Sequence, residues 1–101
     1  MQATEIRVDR VRFNRASEEF QNDGLLGWVS FVLNGTMALD GVMVRRTREG
    51  RITVSFPARR DRSGYDHPYI RPLGSTARRE TETQLLAALP DAITRSREAQ
   101  Q

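Results

Sequence analysis

Asn34 and Gly35 constrain this chain more than any other two residues. They stand directly between LLGWVSFVL (25–33) and TMALDGVMVRR (36–46), two runs rich in β-branched, aromatic and other apolar residues. Both residue types tolerate positive φ, so Asn-Gly between such runs predicts a two-residue β-hairpin. Val29, Phe31 and Leu33 then share one face of the first strand, with Trp28 and Val32 on the other. The second strand alternates through Met37 and Leu39 and shifts parity after Asp40-Gly41 to Val42 and Val44, which predicts a bulge there. The same device is expected earlier: in TEIRVDRVRF (4–13) a bulge near Asp9-Arg10 brings Ile6, Val8, Val11 and Phe13 onto one face.

The remaining segments follow from turn and helix signals. Residues 14–24 are polar and end in Asn22-Asp23-Gly24, which reads as a loop. Arg48-Glu49-Gly50-Arg51 makes a second turn, and Ile52, Val54 and Phe56 define a short strand that Pro57 ends. Residues 57–74 show no periodicity, hold three of the four prolines, and read as one long loop of functional interest. Ser75 or Thr76 caps a helix on which Ala77, Thr81, Leu85, Ala88 and Leu89 share a face. Pro90 is expected to end this helix or to open a short second one, and the tail SREAQQ to fray. The fold class is therefore α+β: an antiparallel β-meander of about four strands with a C-terminal α-helix, in a single domain of 101 residues. Its core is expected over residues 4–89, with 90–101 as a partly flexible extension.

Composition excludes several functions. Cysteine is absent, so disulfides, thiol chemistry and Cys-based zinc sites are ruled out. No apolar run is long enough to span a membrane, and MQATEIRVDR lacks the apolar stretch of a secretory signal. A cytoplasmic location is expected, with no membrane partner. His67 is the only histidine, and Ser63 and Ser75 have no placed triad partners, so no catalytic residue, metal or cofactor is expected.

Charge is the feature that points to a ligand. All sixteen basic residues are arginine. Residues 40–79 hold ten of them against four acids, while the rest of the chain holds six against nine acids. The positive charge thus lies in one continuous stretch, which suits an anionic partner. Arg59, Arg60 and Arg62 cluster beside Pro57 and Gly64, where each can neutralise a phosphate. Arg78 and Arg79 open the helix, opposing its macrodipole, which suggests a use there in phosphate binding. Arg45, Arg46 and Arg48 read as solubilising turn charges. Tyr65 and Tyr69 suit either base stacking or packing on the sheet, and packing is the expectation. Trp28 and Phe31 read as core or dimer surface.

Three stretches together resemble the SpoVG family (stage V sporulation protein G, a regulator of septation). They are TEIRVDRV, the hairpin and turn leading through ITVSFP, and FPARRDRSGYDHPY followed by the helix RRETETQLLAAL. The motif elements are Phe56, Pro57, Ala58, Arg59, Arg60, Gly64, His67 and Pro68, and the likeness covers residues 4–89. It implies a small bacterial homodimer that influences cell division and sporulation and binds DNA, with RNA as a further ligand, and it places nucleic-acid contact at Arg59, Arg60 and Arg62. The chain departs from the family pattern in a longer first loop, a shorter turn between Gly64 and His67, and Asp61 inside the basic cluster. The alternative reading is a protein-interaction module that docks a division or regulatory partner without touching nucleic acid.

Overall fold

The structure, a computed structural model, describes residues 5–99. Strands β1 (Val8–Arg15), β2 (Leu25–Leu33), β3 (Met37–Arg46) and β4 (Ile52–Ser55) form one antiparallel sheet in sequence order. Helix α2 (Ser75–Ala99) crosses it, packing mainly on β1 and reaching β4. The α+β meander with a C-terminal helix is thus the observed architecture.

The β2–β3 turn is built on Asn34-Gly35 as expected but is one residue longer: Leu33 pairs with Met37, so Thr36 joins the connection. Asn34 and Gly35 have φ of +51° and +65°, the double positive φ of a type I′ turn. The Arg7 N–H donates to Asn34 Oδ1 at 2.6 Å, and the Asn34 N–H donates to the Arg7 carbonyl at 2.8 Å. Both expected bulges are present. The β1 register slips between Asp9 and Arg12, with Arg10 at φ +53°. On β3, Phe31 pairs with Leu39 while Val29 pairs with Val42, and Gly41 lies between at φ +74°. These slips put Val11 and Phe13, and likewise Leu39, Val42 and Val44, on the buried face.

Against that face α2 lays Thr81, Leu85, Leu89 and Ala92. Each fully buried Val or Leu contributes about 1.5–3 kcal/mol. The Thr81 hydroxyl donates to the Ala77 carbonyl at 2.7 Å, so the one polar side chain in this row is satisfied. Gln84 fastens the start of β1 to the helix. Its Oε1 accepts from the Val8 N–H at 2.8 Å and its Nε2 donates to the Ile6 carbonyl at 2.7 Å.

Several expectations are corrected. The stretch 14–24 is not a loop throughout: β1 runs to Arg15, and a short helix α1 (Glu18–Asn22) follows, with Ser17 Oγ accepting from the Phe20 N–H. Phe20 meets Trp28 edge to face at 6.4 Å, while Phe31 is core. Gly74, not Ser75 or Thr76, supplies the carbonyl that receives the first helical N–H, from Arg78 at 3.1 Å. Pro90 does not end α2. The turns beyond it are held by buried Ala92 and by Arg95, whose Nη2 donates to the Val11 carbonyl at 2.8 Å, and these contacts offset the missing N–H of proline. Ser96–Ala99 of the tail are helical rather than frayed. Thr4, Gln100 and Gln101 lie outside the described residues. No helix among the described residues is long and apolar enough to cross a membrane.

Candidate nucleic-acid interface

The segment after Pro57 folds into a second, two-stranded sheet. Strand β5 (Ala58–Arg60) pairs with β6 (Asp66–Pro68), matching Ala58 with Pro68, Arg59 with His67 and Arg60 with Asp66. Arg59 and Arg60 therefore sit on a strand, not in an irregular loop, and Arg62 lies in the turn that joins the strands. The expectation of one long loop failed because all six strand residues are exposed. With no buried side to mark, the alternation leaves no apolar period in the sequence.

Polar contacts hold this hairpin. Arg60 Nε donates to Asp66 Oδ1 at 3.1 Å. Asp61 organises the turn: its Oδ1 accepts the N–H groups of Ser63 at 2.9 Å and Tyr65 at 3.0 Å, and its Oδ2 hydrogen-bonds His67 Nε2 at 2.7 Å. The Asp61 N–H closes the turn on the Tyr65 carbonyl. The hydrogen bond to His67, followed by that from the Tyr65 N–H, holds the Asp61 carboxyl below its ordinary pKa. Asp61 is therefore a structural member of the cluster and not merely a repulsive charge within it. His67 is a strut across the hairpin.

Strand alternation gives the hairpin two faces. Ala58, Arg60, Asp66 and Pro68 line an open groove of about 870 Å³. The groove runs along the free edge of β4, and its basic residues come from four places: Arg45 on β3, Arg60 on β5, Arg71 in the link to α2, and Arg78 on the first turn of α2. Among the described residues, Asp66 is the only acid in the lining. Arg45 is half-buried and donates to Met43 Sδ at 3.6 Å. Arg78 Nε donates to Glu82 Oε1 at 3.0 Å. Among the described residues, neither Arg45 nor Arg71 has an ion-pair partner.

Of the arginines singled out in the sequence, Arg60 and Arg78 meet in this groove. Arg59 pairs with His67 on the opposite face of the hairpin, Arg62 is at its tip, and Arg79 is exposed on α2 outside the groove lining. Arg45 and Arg71 were not foreseen as site residues. Arg45 carried one legible signal, since alternation with buried Val44 puts it on the sheet face turned away from α2. Arg71 carried none. Tyr65 and Tyr69 are 70% and 72% exposed, so neither packs on the sheet as expected. Among the described residues no three His, Asp or Glu side chains are placed to hold a metal ion. Neither the family models nor the curated proteins searched match this chain.

Proposed function

We propose that this protein is a small, non-enzymatic regulator of SpoVG type, a cytoplasmic homodimer that binds nucleic acid and influences septation, sporulation or gene expression. The observation that supports the reading is the groove beside β4, which gathers four arginines from separate elements: Arg60 and Arg78 are paired with Asp66 and Glu82, and Arg45 and Arg71 have no ion-pair partner among the described residues. A chain brings like charges together at a cost in repulsion, and a polyanion relieves that cost. Guanidinium groups along a groove suit successive phosphates, and phosphate contacts supply most sequence-independent affinity. The resemblance to the SpoVG family agrees with this chemistry and supplies the cellular process. Homodimer formation comes with the resemblance, and the second copy would have to leave open the β4 edge that borders the groove.

Fluorescence anisotropy with labelled DNA and RNA, titrated across a salt series, tests the reading. Binding that weakens linearly in log salt is expected, by about 0.9 units of slope for each phosphate neutralised on a duplex. No binding of either nucleic acid at low salt would overturn it. The half-exposed Phe20 packed on Trp28 favours a second reading, docking of a division or regulatory protein on an apolar patch. Such an interface is insensitive to salt.

A further inference from the structure

The face of the hairpin turned away from the groove has a different composition. His67 lies on it from the middle of β6, and Tyr65 and Tyr69, which flank the strand at i−2 and i+2, continue the same parity. The backbone bonds agree with this parity: Arg59 lies opposite His67, the Asp61 N–H donates to the Tyr65 carbonyl at 2.9 Å, and the Tyr69 N–H donates to the Pro57 carbonyl at 3.0 Å. Three planar rings thus stand at alternate positions, one in the strand and one on either side of it, about 6.6 Å apart where the backbone is extended. Both tyrosines are more than two-thirds exposed, although Tyr usually keeps its ring partly covered. The backbone beneath them is pinned by the Asp61 turn, so the platform is ordered before any ligand arrives. Arg59 stands beside the rings and Arg62 at the tip; neither has an ion-pair partner among the described residues. Among the described residues of the hairpin, Asp61 is the one acid on this face, and His67 already engages its carboxylate.

We infer that this face is a stacking platform for unpaired bases, so that the nucleic acid the protein prefers is single-stranded. Exposed rings beside cations are what single-strand binders use: each ring takes the face of one base, and the guanidinium groups take the backbone. A duplex offers no such contact, because its base faces are stacked on one another. This inference rests on the nucleic-acid reading above. It adds the strandedness of the ligand and assigns Tyr65 and Tyr69 to the bases.

The test uses the full chain and a labelled mixed-sequence oligonucleotide, alone or annealed to its complement, at one salt concentration. The single strand is expected to bind at least tenfold more tightly. Tyr65→Leu with Tyr69→Leu should weaken single-strand binding by about tenfold or more, with the log-affinity against log-salt slope unchanged because no phosphate contact is lost. Tyr65→Phe with Tyr69→Phe should bind like the parent, since stacking needs the ring and not the hydroxyl. Thermal melts confirm that each variant folds. If the duplex binds as well as the single strand, or if the Leu pair binds the single strand like the parent, the platform is overturned while the nucleic-acid reading stands. If neither form binds at any salt, that reading falls and the platform with it.

Discussion

The four-stranded sheet with its helix and the two-stranded hairpin that follows are built on opposite principles. In the first, Val29, Phe31, Val42, Val44 and Leu85 are each no more than 2% exposed, and the strands stay together because separating them wets a core. In the second, all six strand residues are exposed, and the structure depends on the Arg60–Asp66 pair and the Asp61 turn. Exposed ion pairs contribute little to stability. The hairpin is therefore a cheap element for the fold to alter, and it carries Arg59, Arg60 and Arg62 together with both exposed tyrosines. Stability resides in the buried core of the first region, whereas the proposed recognition draws on the hairpin and on surface arginines such as Arg45 and Arg78, so core and surface should respond to different perturbations.

The largest separation should come from Leu85→Ala. Removing a 2%-exposed leucine from the centre of α2 should cost about 2–5 kcal/mol, read from the urea midpoint, while the folded fraction binds nucleic acid like the parent. A drop in affinity beyond the folded fraction would join the two regions. Gln84→Leu should come next. It leaves the Val8 N–H and the Ile6 carbonyl without their partner, a loss of about 1–3 kcal/mol, again without effect on affinity.

The hairpin variants should invert that pattern. Asp61→Ala removes the acceptor for two turn N–H groups, so amide exchange at Ser63 and Tyr65 should accelerate while the global midpoint stays unchanged. Asp61→Asn keeps an Oδ1 acceptor and should slow that exchange again. Because the turn depends on this carboxylate, Asp61→Ala is not expected to strengthen binding, as the loss of a simple repulsion would. The smallest effect is expected from pH. A carboxyl held below its ordinary pKa contributes stability above the unfolded value and loses it as pH falls through the folded value. As pH falls through the Asp61 titration, below the ordinary carboxylate value, the turn amides followed by NMR should lose their native shifts before the core amides do.

The comparison also explains what was legible in the sequence. The Asn34-Gly35 turn, the slips at Asp9-Arg10 and Asp40-Gly41, and the Thr81, Leu85, Leu89 stripe all leave marks in apolar periodicity, because each positions a side chain in the core. Strands β5 and β6 bury nothing, so no such mark exists and the segment looked irregular. Pro90 misled for another reason: a tertiary contact, Arg95 on the Val11 carbonyl, outweighs a local signal. The basic stretch was legible as charge, but the groove was not. Arg45 and Arg71 come together only once β3, β4 and the start of α2 are in place.

The central claim is that the groove beside β4 neutralises phosphates, and the salt dependence of binding tests it most directly. Replacing Arg45, Arg71 and Arg78 together by Gln keeps most of each aliphatic stem and removes three charges. If each arginine meets one phosphate, the slope of log affinity against log salt should flatten by about 2.1 on a single strand, from roughly 0.7 per contact, or by about 2.7 on a duplex. An unchanged slope and affinity in the folded triple variant would contradict the account.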